Sequence, residues 1–348
     1  MSRIDTQVDR GGPPNQPPTR TAAGAGDGPS RREIADRLRQ EAVGVRLERS
    51  QFGVTRKLTA EQRDQIAQMF DAESARLSAG KKLLNKRHEA YLRVTSLLNR
   101  AKEVWMDTTL PYPDPGIRLI RRDRIPDFDG RMRAIRTELR EAAVALERVY
   151  HDELIPDARR TLGAVFNPSD YPVEIAGEFD IQVSYPNVEP GEYLREISPR
   201  LYEQEQERIR ARFEEAIALA EQAFTDEFAK AVQHMAERLT PGPDGKAKVF
   251  QETTLGNLTE FFQRFRDLNV GSNAALDDLV TQAQWAVQGI DVKALRNDVH
   301  AREAIRSAMQ NLGTQLDGLM VDRPKRKITL EDESAEDAAP QTQEPNAA

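Results

Sequence analysis

Four histidines, two Gly-Lys pairs and no cysteine are the residues from which chemistry would have to be built in this chain. The lack of cysteine removes disulfides, thiolate nucleophiles and Cys-ligated zinc or iron–sulfur centres. His88, His151, His234 and His300 stand in separate segments. None belongs to an H-E-x-x-H pattern or to an i, i+4 pair that would set two imidazoles on one helix face around a metal. Capping or solvated histidines are the expectation. Gly80-Lys81-Lys82 and Gly245-Lys246 carry the Gly-Lys of a phosphate loop. Neither has the earlier glycine whose backbone amides cradle phosphate, nor the Ser or Thr that follows the lysine, so both are rejected. There is no G-x-S-x-G elbow and no G-x-G-x-x-G fingerprint. Glu203, Glu205, Glu207, Glu214, Glu215 and Glu221 fall on one helical stretch and read as a solvated face rather than an acid–base pair. The chain is therefore expected not to be an enzyme, with no catalytic, metal or cofactor-binding residue and no cofactor.

Charge is the stronger signal. The 348 residues hold 50 Lys+Arg and 57 Asp+Glu, a net charge of −7, which excludes a uniformly basic nucleic-acid coat. Between Lys81 and Arg140, however, fifteen bases face eight acids. Such a stripe could attract a phosphate backbone, and Arg118, Arg121, Arg122, Arg124, Arg131 and Arg133 are its candidate anion or nucleic-acid contacts. The competing reading is neutralisation by an acidic helix, because Pro199 to Thr240 carries nine acids and six bases.

Helical periodicity dominates the elements that must position these groups. Thr59 and Gln62 form a capping-box pattern. Ile66, Phe70, Leu77, Leu84, Tyr91, Val94, Leu98, Ala101 and Trp105 follow one 3.5-residue ladder. The ladder predicts a helix over 60–106, interrupted at Glu73, Gly80 and Arg87 and stopped by Pro111, Pro113 and Pro115. Phe128, Met132, Ile135, Leu139, Ala142, Leu146 and Val149 alternate 4 and 3 residues apart, a heptad seam, with a kink or restart expected at Pro156. Ser198 and Pro199 open a third helix to Leu239, whose seam runs from Ile209 through Phe213, Ile217, Phe224 and Phe228 to Met235. Strand signals are few. Phe179 to Tyr185 is expected to pair with Val173 to Ala176 as a hairpin, and Val43–Leu47, Ile117–Ile120 and Lys248–Phe250 are weaker candidates. Shorter helices are expected at about 255–266, 273–288 and 292–320.

The fold class read from this pattern is mainly α, an elongated antiparallel, coiled-coil-like bundle of three long helices with a small β element and a C-terminal short-helix module. Its divisions are 1–30, a Gly/Pro-rich disordered tail; 31–240, the bundle; 241–321, the module; and 322–348, a second disordered tail. That tail holds a basic run (Arg323, Lys325, Arg326, Lys327) and then an acidic one (Glu331 to Asp337). No apolar stretch is long enough to span a membrane and no secretory leader is visible, so a soluble cytoplasmic protein is expected.

Five stretches carry a family likeness: RLERSQFGVTRKLT at Arg46 to Thr59, LPYPDPGIRLI at Leu110 to Ile120, NPSDYP at Asn167 to Pro172, DGKAKVF at Asp244 to Phe250, and NLTEFFQRFRDLNVGSN at Asn257 to Asn273. Together they resemble the bacterial and phage family catalogued as domain of unknown function 3150, over roughly residues 40–320. The resemblance implies a setting beside MoxR-type AAA ATPases and von Willebrand A proteins, and it carries no functional residue onto this chain. The function expected is a non-enzymatic interaction or scaffold protein, an adaptor for such an ATPase system, with self-association also open. Its interface would lie on the bundle or on the module around Phe261 to Trp285. The alternative is nucleic-acid binding through 81–140.

Overall fold

The computed structural model describes residues 30–242, 248, 250–271, 273–290 and 298–321. The expected tails lie outside these residues except for Ser30, as does the turn at Gly245-Lys246. Of the described residues, 69% are helical and 9% lie in strands.

The first described element is a helix that the seams did not announce. In α1 (Arg31–Glu41), Ser30 and Glu33 form a reciprocal capping box, and Ile34, Ala35 and Leu38 are buried. It runs straight into β1 (Ala42–Ser50). After β2 (Thr55–Lys57), the helix expected over 60–106 is divided. Its start is α2 (Ala60–Met69), capped by Thr59 and Gln62 as predicted, its middle holds β3 (Gly80–Lys82), and only its end, α3 (Glu89–Asp107), is a long helix. The reason is the lack of a partner face: Phe70 is 74% exposed, whereas Tyr91, Val94, Leu98 and Ala101 are buried. Gly80 pairs with Lys57 across β2 and β3, and a Cβ there would sit 3.2 Å from the Arg56 carbonyl oxygen. Lys81 is buried, its Nζ 2.7 Å from Asp170 Oδ2 and donating to the Val165 carbonyl at 2.7 Å. This lysine ties a strand down and faces no phosphate.

β4 (Leu110–Pro111) and β5 (Arg118–Arg121) lead to α4 (Ile125–Val149), which carries Pro126 in its first turn. All its heptad residues from Phe128 to Leu146 are buried, and it packs on α3. The restart anticipated at Pro156 takes the form of a wide π-helical turn, Tyr150–Leu154, followed by α5 (Ile155–Leu162). The expected 173–185 hairpin does not form. Glu147 Oε2 accepts the backbone N–H groups of Ile175 (2.6 Å) and Ala176 (2.7 Å), withdrawing those donors from any ladder. β6 (Asp180–Ser184) pairs with β1 instead. The antiparallel sheet has the order β4-β5-β1-β6, with Val43 opposite Ile120 and Leu47 opposite Val183.

A short α6 (Tyr193–Ile197) precedes α7 (Pro199–Leu239), whose ends fall where Ser198, Pro199 and Leu239 placed them. Then come α8 (Glu252–Leu268), α9 (Ala274–Val287) and α10 (Val299–Val321). Lys248 and Phe250 belong to no strand, Val249 lies outside the described residues, and the helix expected from 292 is described from Val299. Buried Arg302 donates to the carbonyls of Leu239 (3.1 Å), Arg238 (2.8 Å) and Lys248 (2.8 Å), closing the C-terminus of α7 with the start of α10.

The three long helices do not meet in one bundle. One apolar cluster joins α1, α7, α8, α9 and α10, so it crosses the division expected at 240; a second joins α3, α4, the π turn and β6. The sheet stands between them. Along β5, successive side chains point to opposite faces, sending Leu119 into the first cluster and Ile120 into the second. Each long seam is satisfied by a different neighbour, α4 by α3 and α7 by α1, α8 and α10.

Candidate functional site

The six arginines expected to meet an anion are dispersed and mostly engaged. Arg118 turns inward: Nε donates to Thr109 Oγ1 at 2.6 Å, Nη2 to the Thr109 carbonyl at 2.8 Å, and the guanidinium lies 5.5 Å from the Trp105 ring centroid. Burial pushes its pKa down to about 10, so it stays cationic at neutral pH. Arg121 holds Asp123 through two bonds of 3.1 and 3.2 Å, and these keep that carboxyl below the usual carboxylate range. Arg124 pairs with Asp267 of α8 at 3.1 Å, Arg131 with Asp127 at 4.0 Å, and Arg133 donates to the Asp129 carbonyl at 3.3 Å. Arg122 is exposed and lines a shallow cleft with Ile125, Tyr185 and Val188. Only Arg124 and Arg131 share a cavity, of about 500 Å³ between α4 and α8. Asp107, Asp127, Glu260 and Asp267 line it too and leave it no anion preference.

Several of these arginines are neutralised by carboxylates, and acids of α7 are engaged by arginines of α1 and α8. Glu221 and Glu207 reach Arg31 (3.0 Å) and Arg32 (3.9 Å) of α1, and Glu227 reaches Arg264 of α8. Between α7 and the 81–140 stretch, Arg212 pairs with Asp114 at 3.0 Å, a base of α7 with an acid of the stretch. The histidines cap and brace. His88 Nδ1 accepts from the Ala90 N–H at 3.3 Å, and His151 Nε2–H donates to the Val173 carbonyl at 2.9 Å. Among the described residues no cluster of His, Asp and Glu could hold a metal ion, and no helix is long and apolar enough to cross a membrane.

A different surface has the geometry of a binding site. Phe261 of α8 stacks on Phe228 of α7 with centroids 5.1 Å apart and planes 3° from parallel, while Phe265 meets Phe224 edge-on at 5.2 Å. These contacts seat α8 on α7. The turn to α9 is clamped from three sides. Asn269 Oδ1 accepts the Gly271 N–H (2.9 Å), Asn269 Nδ2 donates to Asp277 Oδ1 (2.6 Å), and Arg37 of α1 donates to the Val270 carbonyl (2.9 Å). Gly271 sits at φ 68°, a conformation that suits glycine. Asn273 then caps α9 by accepting the Leu276 N–H at 3.0 Å.

The fixed angle between α8 and α9 opens a cleft of about 950 Å³. Phe262, Phe265 and Val280 form its buried floor, and Arg37, Gln263, Arg266, Gln284, Trp285 and Gln288 surround it. Trp285 is 51% exposed. Asp277 is the carboxylate of the lining, and burial raises its pKa. The hydroxyls of Thr259 and Thr281 donate to the carbonyls of Leu255 and Asp277, so neither is poised as a nucleophile. The arrangement can bind, through an apolar floor and a hydrogen-bonding rim. The aromatic run 261–265 and Trp285 were visible in the sequence; the cleft they shape depends on the clamped turn, which no residue pattern announced. The chain matches no protein-family model, no curated protein and no solved structure.

Proposed function

We propose that this protein acts by binding another protein, as an adaptor without chemistry of its own, and that the α8–α9 cleft is the docking surface. The observation that carries this reading is Trp285, half exposed beside a concave floor of Phe262, Phe265 and Val280. Tryptophan next to a dehydratable pocket and ringed by polar groups is the arrangement that concentrates binding energy at interfaces. The finer form of the proposal, in which the partner is a MoxR-type AAA ATPase working with a von Willebrand A protein, rests on the sequence resemblance to the 3150 family alone, since no family model matches the chain. Nucleic-acid binding through 81–140 is weakened by the carboxylate partners of Arg121, Arg124 and Arg131.

The test is native co-purification of the full chain, identification of what it retains, and repetition with Trp285→Ala and with Leu92→Ala, an exposed apolar control on α3. Retention of an identified ATPase should fall at least about tenfold for Trp285→Ala, the loss expected at a central aromatic, and be unchanged for Leu92→Ala. Equal retention by both variants would refute the placement.

A further inference from the structure

We infer that the α8–α9 cleft selects an acidic peptide segment bearing an aliphatic or aromatic anchor; this rests on the docking role proposed above and names the chemistry of the partner. The charged groups lining the cleft are two guanidiniums, Arg37 and Arg266, and one carboxylate, Asp277. Among the described residues Arg266 has no carboxylate partner, and Arg37 donates to the Val270 carbonyl, a neutral group. Asp277, which could oppose them, is engaged by the Asn269 amide at 2.6 Å.

A chain of net charge −7 should repel an acidic segment at long range. A local pair of unmatched arginines is what would admit one and align it. The floor supplies the complementary apolar contact, and Gln263, Gln284 and Gln288 can both donate to and accept from the backbone of an extended peptide. Charge would thus set selectivity, while Phe262, Phe265 and Val280 supply the anchor site.

The full chain carrying Trp105→Phe keeps Trp285 as its one tryptophan emitter. Two probes are titrated at low salt, the peptide EELEFELEE and its lysine counterpart KKLKFKLKK. The acidic peptide should shift Trp285 emission saturably and the basic one should not. Arg266→Glu should weaken the acidic peptide by about tenfold or more and let the basic peptide bind, a gain that damage to the fold could not produce. Equal binding of the two peptides, or acidic binding unchanged in Arg266→Glu, overturns the inference. Acidic binding that emerges only after residues 322–348 are deleted would make the chain's own acidic run, Glu331 to Asp337, the occupant and overturn the assignment to a partner. If neither peptide binds while Trp285→Ala still loses the co-purified protein, the chemistry assigned here is wrong and the docking role stands; if Trp285→Ala loses nothing, the docking role itself falls.

Discussion

Replacing Phe261 with alanine tests the seating of α8 on α7, on which the cleft depends. Phe261 is 2% exposed, stacked on Phe228 at 5.1 Å, and lies 5.8 Å from Phe265, 6.0 Å from Phe262 and 6.5 Å from Phe224. The lost transfer free energy is about 1.5–3 kcal/mol. Four surrounding rings held by their own helices cannot collapse into the void, so the cavity term should bring the total near the top of the usual range of about 3–5 kcal/mol. The two tryptophans report separately, since Trp105 packs against the α3–α4 cluster and Trp285 lines the cleft. Urea unfolding followed by Trp285 in a Trp105→Phe background should show the midpoint fall by about 2 M, taking a slope of about 2 kcal/mol/M. Leucine at 261 should recover part of the loss. A midpoint shift below about 0.5 M would refute the argument, because it would mean that α8 does not rest on α7 through this ring.

Leu139→Ala makes the matching test of the other cluster: the side chain is fully buried in the α4 seam, and about 2–5 kcal/mol should be lost. The loss should register at Trp105 in a Trp285→Phe background, and a change under about 1 kcal/mol there would contradict the α3–α4 packing. Asp180→Asn addresses pH. Arg136 donates two bonds to Asp180, of 2.8 and 2.6 Å, and holds its carboxyl below the usual range. A depressed carboxylate stabilises the fold fully above its unfolded pKa of about 3.9 and loses that contribution as pH falls through the lower folded value. The asparagine variant should therefore be less stable at neutral pH and show a flatter decline below about pH 4; an unchanged acid-unfolding curve would remove this tie between α4 and β6.

Where a helix carries both its caps and its covering neighbour's complement in the chain, it could be read in advance. Ser198-Pro199 and the apolar seam bounded α7, and the 4-3 spacing from Phe128 marked the buried face of α4. The 60–106 ladder misled because periodicity states which side chains share a face, not whether anything covers it. Phe70 continues the pattern and is exposed, and the interruption at Gly80 is the start of a strand. The signal for α1 was present in Ser30 and Glu33, a capping box ahead of Ile34 and Leu38, without the long seam that draws attention to a helix. The pairing of β6 could not be read from its own alternation, since the competing donors of Ile175 and Ala176 are taken by Glu147 across a tertiary contact.

Charge counted along the chain differs from charge in space. Part of the surplus of bases at 81–140 is met by Asp170, Asp267 and Asp180, which folding brings beside Lys81, Arg124 and Arg136. No linear window contains those acids. The cleft left a different trace. Residues 100° apart on a helix cannot share a narrow seam, and Phe261 and Phe262 are adjacent, so α8 carries an apolar arc wider than one neighbour covers. Phe261 serves α7, whereas Phe262, while touching Phe228, also floors the gap to α9. On α9 the core face is Leu276, Leu279, Val280 and Ala283, and Trp285 lies off it, among Thr281, Gln284 and Gln288. Half of the Trp285 surface is left to water beside the apolar floor of the cleft. The sequence carried that residue as one of two tryptophans, with no mark of which face of α9 it would occupy.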